Sequence, residues 1–355
     1  MLQRTIDRRC SGGGIAPALR GGTIGGLAWL VLVAAGCTGA SKSAAPPAAA
    51  LPDHEEPAPA RAVPDASSLV KQGESRLQAQ DVAGAQALFE RAIAENPADA
   101  RAHLDLGIAR ELQKDPAGAT AAYRRAIEIQ PDFAEALNNL GVLLRDRGEL
   151  DEAVLLLDRA AKANPRSSAA HMNLALALED QGELEGAERA YRAALAVDAR
   201  NVMTRVNLGL LLVERGQNEP ATKELHAALA DAQGNRAALV AIGNGLRRAG
   251  DAQGALRAMQ AAVQSGDDAT PALLAELALA QRAAGDRDAA IATLERALAT
   301  DPRYATGHYL LANMLAGAQR VDDAKKHYER YLSLDAKGPH AAQARERLKL
   351  LKQAR

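Results

Sequence analysis

From Ala66 to Gly338 the apolar and polar positions return every 34 residues, eight times over. Inside one period Leu137, Leu140 and Leu144 fall three and four residues apart, the spacing of one helical face. Ala153, Leu157 and Ala160 repeat that spacing further on, so each period holds two helices. Gly148, Gly182, Gly216, Gly250 and Gly285 stand where the first helix should end, because glycine accepts a left-handed C-cap cheaply. Pro97, Pro131, Pro165 and Pro302 follow the second helix and forbid its continuation. A single extra residue falls near Ser265–Pro271, where a loop absorbs it.

Blocks starting at residues 66, 100, 134, 168, 202, 236, 271 and 305 share a register. The eighth place is small throughout: Gly73, Gly107, Gly141, Ala175, Gly209, Gly243, Ala278, Ala312. The twentieth is always alanine, from Ala85 to Ala324. The twenty-fourth is large: Phe89, Tyr123, Leu157, Tyr191, Leu225, Met259, Leu294, Tyr328. The twenty-seventh is alanine until Tyr331 breaks the run, and the seventh is mostly leucine. Small residues let two helix backbones approach, and the bulky residue fills what is left between them. This register resembles the tetratricopeptide repeat family over residues 66–338. The resemblance implies an all-α, right-handed superhelical solenoid of about eight helix–turn–helix repeats. One pair cannot bury its own apolar face, so neighbours must stack to do it. After Gly338, residues 339–355 place Ala341, Ala344, Leu348 and Leu351 on one face and charges largely on the others, a closing helix with a solvated outer side.

The N-terminal region reads differently. Residues 1–36 carry four arginines and then a short apolar run, Thr23–Ala35, too short to span a bilayer and suited to a signal peptide. Ala34-Ala35-Gly36-Cys37 resembles a bacterial lipobox, with Ala34 where Leu, Val or Ile is usual, so Cys37 is the expected lipidation site; ordinary secretion is the alternative. Several acyl chains would anchor the protein firmly, since one alone is marginal. Residues 37–65 read as a lipid-bearing, Ala/Pro-rich disordered tether, with six prolines between Pro46 and Pro64 and no apolar periodicity. Thr38 follows the cysteine in place of the Asp that marks inner-membrane retention in many bacteria, which favours the outer membrane facing the periplasm.

The formal net charge is −1, and without residues 1–36 it is −4, a poor balance for binding nucleic acid. Cys10 and Cys37 are the only cysteines, which excludes a disulfide framework and any CxxC site. His103, His171 and His308 all occupy the fourth place of their blocks and read as residues at the edge of the core; no histidine has metal-ligand spacing. With the chain accounted for by signal, tether, repeats and cap, no enzyme, cofactor or metal is expected.

In the resembled family the first helix of each pair lines a concave groove. The sixth place there reads Asp105, Asn139, Asn173, Asn207, and the ninth reads Ile108, Val142, Leu176, Leu210. A carboxamide both donates and accepts, so a row of them suits the backbone of an extended peptide whatever its sequence, with the apolar row taking side chains. The polar row is similar to the asparagine ladder of the O-linked N-acetylglucosamine transferase repeats, without any transferase domain. Towards the C-terminus Arg247, Arg248 and Arg282 suit a carboxylate on the partner. The expected function is a membrane-tethered scaffold or adaptor that binds a protein or peptide partner in assembly of an envelope complex. The alternatives are a self-assembling structural protein and an accessory subunit of an envelope enzyme.

Overall fold

A computed structural model describes residues 65–266 and 268–353. The signal segment 1–36, Cys37 and the tether up to residue 64 lie outside the described residues. Among the described residues there are seventeen α-helices and no strand. They run α1 Ala66–Gln78, α2 Val82–Glu95, α3 Ala100–Leu112, α4 Pro116–Ile129, α5 Ala134–Asp146, α6 Leu150–Ala163, α7 Ser168–Gln181, α8 Leu184–Val197 and α9 Val202–Glu214. They continue as α10 Asn218–Asp231, α11 Arg236–Ala249, α12 Ala252–Gln264, α13 Pro271–Ala283, α14 Arg287–Thr300, α15 Ala305–Gly317, α16 Val321–Leu334 and α17 Ala341–Gln353. The helices alternate as the 34-residue period predicts. No described helix is long and apolar enough to cross a membrane.

Both ends of most helices are written locally. Asp65, Asp81, Asp99, Asp115, Asp251 and Asp286 each accept a backbone N–H from the first turn that follows, as do Ser167, Asn201, Asn235 and Thr270. Such caps satisfy helix N–H groups that have no partner of their own, each contributing about 1 kcal/mol. The turn between the two helices of a repeat needs one left-handed residue. Gly148, Gly182, Gly216, Gly250 and Gly285 supply it, with φ between +73° and +94°. In the first, second and eighth repeats Gln80, Lys114 and Gln319 take the same conformation, near +61°, without being glycine. Here the turn overrides residue preference, at a cost of about 1 kcal/mol each.

The chain divides into two compact units, one ending at Leu140 and the other beginning at Gly141. In the first, α1 packs on α2 and α3 on α4, and α2 packs against α3. Phe89 and Tyr123 are fully buried, each lying flat against a glycine of the facing helix. A methyl group on Gly73 would stand 2.3 Å from Phe89, and one on Gly107 2.3 Å from Tyr123. In the second unit α7 through α16 pair in the same way, and α17 covers the last repeat. Leu157, Leu225 and Met259 lie on Gly141, Gly209 and Gly243 with similar closeness. The twentieth-place alanines are fully buried throughout, because there the two backbones leave room for nothing larger.

Gly107→Ala is expected to lower stability by about 1–3 kcal/mol, the usual range for overpacking a dense core. Gly317→Ala, at the end of α15 with nothing within 4 Å of the added methyl, should leave stability unchanged or raise it by up to about 1 kcal/mol. Urea unfolding of the two variants side by side checks both; equal losses would rule out the flat packing of Tyr123 on Gly107 as the cause.

Candidate partner-binding site

The fourth-place histidines do more than pack. Nε2 of His103, His171 and His308 lies 3.1 Å from the backbone carbonyl of Pro97, Pro165 and Pro302 respectively, each six residues earlier. Arg205 repeats the tie by donating from Nε to the Ala199 carbonyl at 2.9 Å. These carbonyls belong to the turn just after the second helix of the preceding repeat. Such a side chain anchors one repeat's exit loop to the next repeat's first helix. His308 is further joined to His327, with the two Nδ1 atoms 2.9 Å apart and ring centroids 5.1 Å apart. The rings therefore meet head-on. A tetrahedral metal between them would hold the two nitrogens about 3.3 Å apart, so the shorter gap fits a shared proton. Burial, foremost, lowers the pKa of both rings. Among the described residues no group of three or more His, Cys, Asp or Glu is placed to hold a metal ion.

In the first unit, Asp105 departs from the expectation of an open rung. It is 2% exposed, and Arg101 Nε donates to its Oδ2 at 3.0 Å. The same guanidinium reaches Glu74 at 3.0 Å and Glu135 at 3.6 Å. One cation thus serves three carboxylates, of which Asp105 is the buried one. Burial pushes the Asp105 pKa up to about 6, against the pull of Arg101. Next to it the buried Tyr123 hydroxyl donates to Glu111 Oε2. The Asn139 amide donates to the Tyr123 oxygen, and burial raises the phenol far above its ordinary range. Asn139 Oδ1 also accepts from Asn138 at 3.3 Å. Asn139 is only half-buried, like Ile108.

In the second unit Asn173 and Asn207 are half-buried at the same register place, and Val142, Leu176 and Leu210 are half-buried beside that row. Tyr191 donates to Glu179 at 2.9 Å, the same link as Tyr123 to Glu111. Arg145 points to Asp146 at 3.1 Å and to Asp180 at 3.7 Å. The basic trio separates. Arg248 and Arg282 are exposed, while Arg247 is half-buried, donates from Nη2 to Asn244 at 3.3 Å and keeps a buried Nε without a partner. Beyond Asn244 stands Glu276, 8% exposed, with Oε2 unpaired. Burial raises the Glu276 pKa while Arg247 and the Asn244 amide lower it. Arg247 is thus committed in part to a buried acid of this chain. The sequence carries no local signal of Arg101, Glu74 and Glu135 converging on Asp105, nor of Glu276 facing Arg247; these partners come from separate helices.

Family profiles described as tetratricopeptide repeat match residues 70–134, 115–161, 138–201 and 281–348. The chain belongs to the tetratricopeptide repeat family. None of the curated proteins compared matches it. Among solved structures, this tetratricopeptide repeat chain is similar to PilF of Pseudomonas aeruginosa, at 19% identity over 67% of this chain and 92% of that one, TM-score 0.47. MamA of Desulfovibrio magneticus RS-1 aligns at 18% identity over 47% and 94% of the two chains, TM-score 0.44. YrrB, described as a repeat protein of this family with an unusual peptide-binding site, aligns at 20% identity over 51% and 93%, TM-score 0.43.

Asp105 makes stability depend on pH with a definite sign. Its folded pKa, about 6, lies above the unfolded value of about 3.9, so the folded chain holds the proton more tightly. Its contribution is complete below about pH 4, is lost as pH rises to about 6 and is flat above that, a change of about 3 kcal/mol. Denaturant unfolding from pH 4 to 7 should show this fall in the native chain and not in Asp105→Asn; parallel profiles would mean that Asp105 titrates normally. Tyr191→Phe, which removes one donor from Glu179, should cost about 1–3 kcal/mol in the same assay.

Proposed function

We propose that the chain is a membrane-tethered scaffold that binds a protein or extended peptide on faces presented by the first helices of its repeats, in assembly of a bacterial envelope complex. One observation carries this reading. At the sixth and ninth places Asn139, Asn173, Asn207, Ile108, Val142, Leu176 and Leu210 stop half-buried, while the eighth places Gly141, Ala175 and Gly209 and the seventh places Leu140 and Leu208 are buried. Within each unit, polar and apolar side chains of the first helices thus reach solvent at a constant register. An extended chain offers one N–H and one C=O per residue, which carboxamides match regardless of ligand sequence. The apolar row takes up its side chains. Arg248 and Arg282, exposed on α11 and α13, offer cations to an acidic residue of the partner.

The address is set by the N-terminal region. Ala34-Ala35-Gly36-Cys37 after the apolar run supports lipid attachment at Cys37, and Thr38 supports outer-membrane placement facing the periplasm. The proline-rich residues 38–65 give reach, on the order of 3 Å per residue if extended. The mechanism is positional: lipid holds the scaffold at a membrane, and the repeat faces hold the partner near it.

The immobilised full chain, exposed to a bacterial envelope extract, should retain a dominant protein identified by mass spectrometry. Replacing Asn139, Asn173 and Asn207 together by Ala should weaken that retention about a hundredfold, as expected from three hydrogen-bonding groups at about 1 kcal/mol each, with unchanged helicity. Undiminished retention would sink the role of the asparagines. Cys37→Ser should abolish incorporation of labelled palmitate in a bacterial host and release the protein from membranes; a variant that still labels would place the lipid elsewhere.

A further inference from the structure

Three histidines gather at the closing end of the second unit: His308 on α15, His327 on α16 and His340 just before α17. The Pro302 carbonyl can only accept, so His308 Nε2 carries the hydrogen that joins them across 3.1 Å. A neutral His308 then has a bare Nδ1, and the Nδ1–H of His327 donates to it across 2.9 Å. One carbonyl thus fixes both tautomers. The pair has room for one further proton, on His327 Nε2. A second, on His308 Nδ1, would set N–H against N–H and turn the bond into a repulsion.

This bond ties α15 to α16, with His308 buried and His327 half-buried. His340 ties in the closing helix. Its ring stacks on Tyr309, the neighbour of His308, with centroids 4.3 Å apart, and its backbone N–H donates to the Tyr331 hydroxyl at 3.1 Å. Ala341, Ala344 and Leu348 of α17 pack into the same core as Tyr309, Tyr328 and Tyr331. In a solenoid each repeat rests only on its neighbours, so the last can open without disturbing the others.

The charges that act on His308 are Arg330 on α16 and Asp301 at the end of α14. His327 faces Asp323 and Lys326 on its own helix, Arg320 just before it and His308. Asp335 acts on His340. Asp323 is already held by Arg320 at 3.1 Å and Lys326 at 3.3 Å, and Asp301 accepts from the Arg303 N–H at 2.8 Å, so neither carboxylate is given over to a charged ring. Burial, foremost, lowers the pKa of all three rings, so the closed end disfavours protons that an open end would take. Their contribution is complete above about pH 6.5, the ordinary imidazole value, and is lost as pH falls below it.

We propose that the closing end of the chain is an acid-released cap: at neutral pH the single hydrogen between His308 and His327 locks α16 to α15, and in mild acid a second proton breaks that bond and frees α16, with α17 on it, from α15. Release uncovers Tyr309, Leu311 and Tyr331, all buried in the closed form.

The test uses the full chain and His327→Asn. The asparagine amide stands where Nδ1 stood and offers either an oxygen or an N–H, so it keeps the link whether or not His308 is charged. Hydrogen exchange of the α17 amides relative to those of α9, corrected for the intrinsic effect of pH, reads the opening. In the native chain the opening constant should rise about tenfold from pH 7.5 to 5.5, the linkage of one extra proton over the pH unit below the imidazole value. His327→Asn should lose most of that rise. In nitrogen-15 spectra of the native chain, the His308 and His327 rings should titrate below the ordinary imidazole value. An opening constant that stays level in the native chain, or rises equally in the variant, overturns the cap. Rings that titrate as free imidazole overturn it too, whatever the stability of the variant.

Discussion

In five of the eight repeats the two helices approach across a missing side chain, and in the other three across an alanine. At Gly73, Gly107, Gly141, Gly209 and Gly243 a ring, leucine or methionine side chain of the facing helix lies where a Cβ would be, closer than two unbonded carbons allow. That approach brings the twentieth-place alanines into full burial and lets a single large residue close the space between the helices. Dispersion contacts are individually small, so a core this poor in aromatic residues depends on density. The rest of each repeat is arranged to permit that density. Side-chain caps satisfy the helix starts, a left-handed residue folds the chain back after the first helix, and ring nitrogens secure the carbonyls at the end of the second.

The architecture was legible because its determinants are local and repeated. An eighth-place glycine or a turn glycine means the same thing in each block, and the period exposes it. The three turns without glycine show the limit of that reading: Gln80, Lys114 and Gln319 take the left-handed conformation because the helices on either side demand it, against their own preference. The fourth-place histidines carried a readable signal that spacing alone did not decode, a proline six residues before the ring. Arg205, six residues after Ala199, shows that the carbonyl matters more than the imidazole.

The candidate site was less legible, and the reason is physical. Half-burial of Asn139, Asn173 and Asn207 follows from register, since the sixth place lies two before the buried eighth, Gly141, Ala175 and Gly209. Burial of Asp105 does not follow from register. It depends on a guanidinium from its own helix and on carboxylates from two others, and no sequence separation fixes such a meeting. Arg247 behaves alike, drawn partly inward by Asn244 and the buried Glu276 instead of standing free beside Arg248. Charges read from a sequence are most misleading where another charge of the same chain can reach them.

Where the twenty-fourth residue is Tyr123 or Tyr191, its hydroxyl reaches through to a glutamate at the twelfth place, Glu111 or Glu179. Where it is Phe89, Leu157, Leu225, Met259 or Leu294, the twelfth place holds Leu77, Arg145, Val213, Arg247 or Arg282, and no acid. In these two repeats a residue wholly enclosed by the core is matched to a charge near the end of the facing helix, whereas Tyr328 donates to Asn313 at the ninth place and its twelfth place is Ala316. Repeats of this kind can diversify what they show to the outside by exchanging one atom on the inside, leaving backbone, register and every visible neighbour as they were.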